Sequence, residues 1–135
     1  MDSLLDRIKR HEGFSAFPYQ DTTHHTTIGW GRNLDERGIS KDEAEIMLQN
    51  DIDVAAKRFG DLPDEVQGNC NDVRRDVLIE MIFQMGYMGV LKFKRMLGAI
   101  SAGDFERASK EMFMSKWASQ TPSRCAEMSE AMKNG

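Results

Sequence analysis

The segment HEGFSAFPYQDTTHHTTIGWG, residues 11–31, decides which fold this chain is expected to adopt. It places Glu12 at the end of a helical pattern and Asp21 nine positions later, and it closes on alternating glycines. Residues 16–34 are rich in threonine, tyrosine, tryptophan and isoleucine and are interrupted by turn formers, which predicts two or three short antiparallel strands. We therefore expect Asp21 near the first hairpin turn and Glu12 in the last turn of the preceding helix.

Helical patterns flank this segment on both sides. Residues 2–13 predict a short helix that is capped by Asp2 or Ser3 and ends at Gly13, with one apolar face formed by Leu4, Leu5, Ile8 and His11. Later, Ser40 and Glu43 form a capping box, in which each side chain satisfies the other's backbone donor. The longest predicted helix starts there, and its apolar face consists of Ala44, Met47, Leu48, Ile52, Ala55 and Phe59.

The second half of the chain predicts helices alone. Residues 73–86, VRRDVLIEMIFQMG, carry a broad apolar face that stops at a glycine, so they are expected to form a core helix. The preceding residues 60–72 are expected to form a turn-rich connection. Shorter helices are predicted over about 90–98, 104–114 and 123–132, the last capped by Thr121 with Pro122 at its first position.

The order of these elements predicts an α+β fold. We expect one domain over residues 1–135, with a small lobe of about 1–60 that carries a short antiparallel hairpin or sheet. A long connecting helix then leads to an all-helical lobe of about 61–135. A chain of this length, 40% hydrophobic, is long enough to build a core without disulfide or metal staples.

The charge pattern argues against nucleic acid as a partner. The formal net charge is −4, with 12 acids against 8 bases in residues 1–62 and ten of each in residues 63–135. Phosphate binding draws on clustered lysines and arginines, and the only basic cluster is KFKR, Lys92 to Arg95. We interpret that cluster as a solvated helix face.

Cysteine use and the absence of apolar runs bear on the compartment. Cys70 and Cys125 lack a CxxC spacing, so free thiols in a reducing compartment are expected, although a single bridge stays open. The amino terminus carries a charge every few residues and no later stretch approaches a transmembrane length. We therefore expect synthesis and folding in the cytoplasm, as a monomer.

The two acids of the opening segment are a candidate pair for glycoside hydrolysis. That reaction uses one protonated carboxyl group, which donates to the leaving oxygen, and one ionised carboxylate on the other side of the bond. Glu12 and Asp21 fit these roles, and the hydroxyl of Thr27 would aim a water. The spacing alone is weak evidence, because most pairs of acids nine positions apart are solvated surface.

Other patterns in the same segment suggest different chemistry. His24 and His25 near Asp21 suggest a zinc site. However, neighbouring residues on a strand point to opposite faces, and zinc needs three or four converging ligands. We therefore predict no metal site. Trp30 and Trp117 are candidates for stacking on sugars, although core packing is the favoured role of Trp117.

The order Glu12, eight residues, Asp21, five residues, Thr27 and then IGWG resembles the catalytic signature of the phage-type lysozymes, the endolysin family. The resemblance continues in order through GISKDEAEIMLQNDID, DVRRDVLIEMIFQMG, GVLKFKRML and SKWASQTPSR, and so covers nearly the whole chain. It implies a lysozyme-like fold and neither a metal nor an organic cofactor. It also implies hydrolysis, with inversion, of the β-1,4 bond between N-acetylmuramic acid and N-acetylglucosamine in bacterial peptidoglycan.

The resemblance also assigns roles to individual residues. Glu12 would be the general acid, while Asp21 and Thr27 would hold and activate the attacking water. Arg124 matches an arginine that meets the catalytic glutamate across the cleft. Positions that line the substrate cleft correspond to Asn33, Phe83 and Gln84, although Phe83 fits a core helix equally well. The enzyme would lyse a host cell after a separate holin has permeabilised the membrane.

Four departures from the family pattern qualify these assignments. Arg32 replaces a histidine and must find another partner, and the connection NLDERG is short. Met96 and Glu111 stand where serine and asparagine are expected, which puts recognition of the peptide stem in question. The sequence stops at MKNG without the family's final segment, so closure between the lobes is expected to differ.

Two other functional classes stay open at this point. A lytic transglycosylase cleaves the same bond with a single acid and has no need of Asp21 and Thr27, whose presence disfavours it. A catalytically inactive wall-binding domain on the same fold is disfavoured by the intact trio of Glu12, Asp21 and Thr27.

Overall fold

The computed structural model describes residues 1–135 and confirms the predicted α+β class. The amino-terminal elements are α1 (Leu4–Glu12), β1 (Ser15–Gln20), β2 (Thr26–Gly29), β3 (Arg32–Asn33), α2 (Leu34–Arg37) and α3 (Lys41–Phe59). The remaining elements are α4 (Asp64–Asn69), α5 (Asp72–Met85), α6 (Tyr87–Leu91), α7 (Lys94–Ser101), α8 (Phe105–Phe113), α9 (Lys116–Gln120) and α10 (Pro122–Asn134). The contacts divide the chain within α3 into two compact units, Met1–Ile46 and Met47–Gly135.

Helix α1 ends as its sequence predicts. The side chain of Ser3 caps its start by accepting from the backbone N–H of Asp6 at 3.1 Å. Gly13 follows its last residue with φ of 70°, and its N–H donates to the carbonyl of Lys9. None of its residues is buried, although Leu4, Leu5 and Ile8 share an apolar face.

The three strands form one antiparallel sheet in the order β1-β2-β3, which confirms the prediction for residues 16–34. Strand β2 is central, and its Thr27 lies opposite Tyr19 of β1 and Asn33 of β3. Because both neighbours fix its register, the backbone at Thr27 is held from two sides.

The turn between β1 and β2 is closed by backbone hydrogen bonds at Asp21, where the sequence predicts a hairpin turn. The N–H of Asp21 donates to the carbonyl of His25, and the N–H of His24 donates to the carbonyl of Asp21, both at 3.0 Å. His24 takes the left-handed conformation with φ of 63°. The two histidines therefore lie in the turn and not on a strand, so the argument from alternating strand faces does not apply to them.

Arg32, which replaces the histidine of the family pattern, pairs with Glu43. Its guanidinium binds both carboxylate oxygens of Glu43, with Nη1 2.9 Å from Oε1, and it also donates to the carbonyl of Gly38. Glu43 is at the same time the acid of the predicted capping box, because its Oε1 accepts from the N–H of Ser40 at 2.8 Å. The box is confirmed, and it is joined to β3 by an ion pair.

The second unit has a core rich in methionine. Its fully buried side chains include Val66, Leu78, Met81, Val90, Met96, Ile100, Met112, Cys125 and Met132. Trp117 is also buried and packs edge-on against Phe93, with ring centroids 6.1 Å apart, so its favoured core role is confirmed. The thiols of Cys70 and Cys125 are free, and no bridge joins them.

Several predicted helix boundaries are wrong because short helices lack a full apolar period. The helix expected over 90–98 is two helices, α6 and α7, separated at Lys92 and Phe93. Helix α4 lies in the segment predicted to be a turn-rich connection, and α2 and α9 were not predicted. Side-chain caps define two of these: Asn33 accepts from the N–H of Glu36 at the start of α2, and Ser115 accepts from that of Ala118 at the start of α9.

The predicted apolar face of α3 is only partly buried. Ala55 and Phe59 belong to the core, whereas Met47, Leu48 and Ile52 are exposed. In α5 the predicted face is buried from Val77 to Ile82, whereas Val73 is exposed. No helix of the structure is both long enough and apolar enough to cross a membrane.

Candidate active site

Glu12 is the last residue of α1, and its exposed carboxylate lies against the turn between β2 and β3. A Cβ placed on Gly31 would stand 2.9 Å from Glu12 Oε2 and 3.1 Å from its carboxyl carbon. Gly31 also has φ of 81°, a conformation that favours glycine. Glycine is therefore favoured at position 31 for two reasons: the backbone conformation of the turn and the lack of space beside the Glu12 carboxylate.

Asp21 is fixed through one of its carboxylate oxygens. Oδ1 accepts from the N–H of Thr23 at 2.8 Å, from Thr23 Oγ1 at 2.9 Å and from the N–H of His25 at 2.9 Å. Oδ2 accepts no hydrogen bond from the protein. The pKa of Asp21 is lowered, chiefly by the hydrogen bond from the His25 backbone, and partial burial opposes the shift. The carboxylate is therefore ionised at neutral pH and presents one free oxygen.

Thr27 is the most buried residue of the first unit, with 3% of its surface exposed. Its Oγ1 donates to the carbonyl of His25 at 3.0 Å. Since that bond uses the single hydroxyl proton, the oxygen can only accept a further hydrogen bond. The His25 backbone thus connects the two residues expected to act on the water, because it also donates to Asp21.

The cleft residues predicted from the resemblance lie in different units. Asn33 belongs to the first unit, where its Oδ1 accepts from the N–H of Glu36 and its amide nitrogen is left to donate to a ligand. Phe83 belongs to the second, and at 42% exposure it is not the core residue that its helix also allowed. Gln84 is half-buried, and its Oε1 accepts from Nε1 of Trp117 at 2.9 Å. Its amide nitrogen is directed elsewhere and is free to donate.

Arg124 has a partner within its own unit. Its Nε donates to Oε2 of Glu80 at 2.8 Å, and both side chains are partly exposed. Together with Phe83 these two residues line a hollow of about 440 Å³, whose other walls are Leu48, Ile52, Asp76 and Ile79. The contact of Arg124 with Glu12 that the resemblance implies stays a prediction.

Two further positions differ from the expectation for a cleft. Met96 has no solvent-exposed surface, although it belongs to the lining of a cavity. Glu111 lines a cavity of about 490 Å³ together with Lys92, Lys94, Arg95 and Lys116. The basic KFKR cluster is therefore part of a concave wall and not only a solvated helix face, which the sequence pattern did not reveal.

Trp30 offers an exposed aromatic surface in the first unit. It is 46% exposed, its ring centroid is 5.0 Å from that of Phe14, and the Lys9 ammonium lies 4.6 Å from the ring centroid.

The structure contains no group of three or more histidine, cysteine, aspartate or glutamate side chains arranged to hold a metal ion.

Enzymes that cleave glycosidic bonds use two carboxyl groups, and the first unit holds two candidates, Glu12 at the end of α1 and Asp21 on a hairpin turn. The protein is such a glycoside hydrolase, a lysozyme. It belongs to the phage lysozyme family, whose model matches residues 9–129. This confirms the resemblance and the lysozyme-like fold.

Individual relatives agree with the family. Probable T4-type lysozyme 1 of Dictyostelium discoideum is 29% identical in an alignment of 163 residues. The alignment covers the whole of this chain and 96% of that protein. Probable T4-type lysozyme 2 of the same organism is 28% identical with the same coverage. The Pre-baseplate central spike protein Gp5 of Enterobacteria phage T4 is 27% identical over 98% of the chain and 28% of its own length.

Proposed function

We propose that this lysozyme hydrolyses the β-1,4 bond between N-acetylmuramic acid and N-acetylglucosamine of bacterial peptidoglycan with inversion at the sugar carbon. The observation that carries the proposal is the hydrogen bonding of Asp21. Three donors occupy its Oδ1 and hold it ionised, while Oδ2 is left to accept from a water. An ionised carboxylate with a free oxygen can orient a water and accept the proton that the water loses.

Thr27 supports the same role for a water. A water between Thr27 Oγ1 and Asp21 Oδ2 would meet two acceptors, because the threonine proton is committed to the His25 carbonyl. Such a water donates both of its protons and keeps a lone pair for the sugar carbon. This arrangement positions the nucleophile, which is a larger contribution than basicity alone.

Glu12 would supply the proton that the leaving oxygen needs. In the inverting reaction the water oxygen bonds to the sugar carbon, the bond to the leaving oxygen breaks, and Glu12 protonates that oxygen. Asp21 takes the proton that the water loses, so the charges balance at the end of one step. The missing Cβ of Gly31 leaves the room in which the Glu12 carboxyl group lies.

Substrate binding is proposed for Asn33, Phe83 and Gln84. Phe83 has an exposed ring that suits the apolar face of a sugar, and Gln84 keeps its amide nitrogen free because Trp117 occupies its oxygen. Trp30 in the first unit offers a second ring. Recognition of the peptide stem through Met96 is not proposed, because that side chain is buried.

One experiment separates the three functional classes. Purified peptidoglycan is digested with the enzyme and the products are analysed by mass spectrometry. A hydrolase leaves reducing ends, a lytic transglycosylase leaves anhydro sugars, and a wall-binding domain leaves no fragments. Anhydro sugars as the main product would contradict the proposal, because their formation needs no water on Asp21 and Thr27.

We also propose that the protein acts as a monomeric endolysin, which is made in the host cytoplasm and reaches the wall after a holin has permeabilised the membrane. Expression in the cytoplasm of a bacterium should then be tolerated, and addition of chloroform should trigger lysis. Lysis of expressing cells without any permeabiliser would contradict this export route.

A further inference from the structure

One cavity of the second unit concentrates positive charge. It has a volume of about 490 Å³, and its lining includes Lys92, Lys94, Arg95 and Lys116 but only one acid, Glu111. Four positive charges thus stand against one negative charge, whereas the whole chain has a formal net charge of −4. The sign of the charge in this cavity is therefore opposite to that of the protein as a whole.

None of these four cations is neutralised within the protein. All four side chains are exposed, and none of them forms an ion pair. Other cations of the chain do have carboxylate partners, as the pairs of Arg58 with Asp61 and of Arg124 with Glu80 show. Unpaired like charges that line one cavity repel one another, and a bound anion would remove this repulsion.

The other polar side chains of the cavity are already used. Nε1 of Trp117 donates to Gln84 at 2.9 Å, and the hydroxyl of Ser115 donates to the carbonyl of Met112 at 2.6 Å. A ligand in this cavity would therefore be held by the four cations.

The start of α7 adds neutral donors to the same lining. The first three residues of this eight-residue helix, Lys94, Arg95 and Met96, all line the cavity, and no side chain caps the helix. The first backbone N–H groups of a helix have no acceptor within it. They supplement the cations, because both favour a negative group.

The distribution of the cations favours phosphate over carboxylate. Three of them follow one another in residues 92–95, and Lys116 comes from the start of α9. A phosphate group has oxygens that point in several directions, so it can accept from cations of separate segments. Arg95 can bind two of these oxygens at once, and lysines bind phosphate as point charges.

We propose that this cavity is a second binding site, which takes the phosphate groups of a phosphodiester-linked polymer of the bacterial envelope. The site belongs to the second unit, whereas Glu12 and Asp21 belong to the first. Bound polymer would keep an acidic enzyme on an anionic envelope between cleavage events. The envelope as the source of the polymer rests on the function proposed above, but the binding of phosphate does not.

A polymer chain suits this cavity better than the surface of a bilayer. A chain can enter a concave site and brings only a few phosphates close to the protein. An anionic bilayer is flat, so it would approach the rest of a protein whose formal net charge is −4 and would be repelled by it.

The first test measures the binding of poly(glycerol phosphate) oligomers to the whole chain by isothermal titration calorimetry. Lys94→Gln combined with Lys116→Gln should raise the Kd about three- to tenfold, the range for two exposed ion pairs. The matched control combines Lys57→Gln with Arg107→Gln, which removes the same charge at exposed positions outside the cavity. An equal rise of the Kd in both double variants would overturn the site, because net charge alone would then explain the binding.

Glu111 provides a test of opposite sign. Glu111→Gln removes the one negative charge of the lining, so it should lower the Kd for the oligomers about two- to threefold. A higher Kd in this variant would overturn the assignment, because the carboxylate would then take part in recognition.

Two further ligands test the chemical class at the same ionic strength. Citrate, which carries carboxylates only, should bind at least about threefold more weakly than the oligomers. Citrate that binds as tightly would overturn the preference for phosphate. Vesicles of phosphatidylglycerol should not sediment with the protein, and sedimentation with vesicles without any binding of the oligomers would overturn the polymer as the ligand.

Binding and cleavage are tested separately. Glu12→Gln, which is expected to be inactive, should bind the oligomers with the Kd of the wild type. The double variant of Lys94 and Lys116 should in turn keep its kcat/KM on soluble peptidoglycan fragments that carry no phosphate polymer. Loss of oligomer binding in Glu12→Gln would overturn a site in the second unit that is independent of the proposed general acid.

Discussion

The carboxylate of Glu12 lies against Gly31, where a Cβ would stand 2.9 Å from Oε2, too close unless the carboxylate moves aside. Any other residue at this position must displace the proposed general acid or bend the turn. The conformation of Gly31, with φ of 81°, adds backbone strain to that clash.

We therefore predict that Gly31→Ala lowers kcat at least tenfold. The matched control is Gly29→Ala, which meets the same strain with φ of 69° but has no atom within 4 Å of the new Cβ. Each variant should lose about 1–2 kcal/mol of stability to the left-handed conformation, measured by urea unfolding. Equal losses of activity in both variants would show that strain alone matters.

Glu12→Gln should abolish wall cleavage and leave the fold intact, because Glu12 is exposed and the amide keeps the shape of the carboxyl group but cannot give up a proton. General acid catalysis contributes about 100-fold or more. Release of reducing ends and thermal unfolding are the measurements, and Glu45→Gln, at an exposed glutamate of α3, is the control. Residual activity above about 1% would remove Glu12 from the proposed role.

The stereochemistry of the product tests Asp21. If Asp21 serves a water, the first product seen by NMR is the α-anomer, and the two carboxyl groups lie about 6.5–9.5 Å apart in the substrate complex. Thr27→Val should lower kcat while Thr27→Ser retains most of it, since only serine keeps the accepting oxygen. A covalent glycosyl-enzyme on Asp21 would contradict the inverting mechanism.

The ion pair of Arg32 and Glu43 predicts a dependence of stability on acid. The hydrogen bonds from Arg32, and then those from Ser40, lower the pKa of Glu43 from its ordinary 4.5 to about 2. As pH falls, Glu43 is therefore protonated in the unfolded chain before it is protonated in the folded protein. The pair stabilises the fold above about pH 4.5, and this stabilisation is lost as pH falls towards 2.

Arg32→Gln should flatten the unfolding free energy between these two pH values, as followed by urea titrations at several pH values. Lys110→Gln breaks an exposed contact of 3.9 Å with Glu106 and serves as the control. If the unfolding free energy of Arg32→Gln depends on pH as steeply as that of the wild type, other carboxylates cause the acid sensitivity.

Arg124→Ala is expected to destabilise the protein modestly, by about 0–1 kcal/mol, because its ion pair with Glu80 is partly exposed. The enzyme should stay active. A double-mutant cycle with Glu80→Ala separates the pair from other contacts of Arg124. If Arg124→Ala instead lowers activity and Glu80→Ala does not, Arg124 acts on the site itself, as its match to the family arginine implies.

The sequence predicts those parts of the fold that local signals define. Ser3, Gly13 and the box of Ser40 and Glu43 mark helix ends through bonds within a few residues, and all are observed. The hairpin at Asp21 follows from turn formers in the same way. The four-residue helix α2 has no period to recognise, so it was missed.

Contacts between distant segments could not be predicted in this way. Nothing local indicates that Gly31 gives room to Glu12, or that Arg124 pairs with Glu80, which lies 44 positions away. Phe83 shows the same limit, since its helical position fits both a core and an exposed ring. The neighbouring helices decide between these, and they leave it exposed.

The methionine-filled core of the second unit also offers a spectroscopic opportunity. Of the ten methionines only Met1 precedes Met47, whereas Thr22, Thr23, Thr26 and Thr27 all belong to the first unit. Isotope labels on methionine methyl groups therefore report almost entirely on the helical second unit, and labels on threonine methyl groups report mainly on the first. One doubly labelled sample would reveal whether the two units melt together or in sequence.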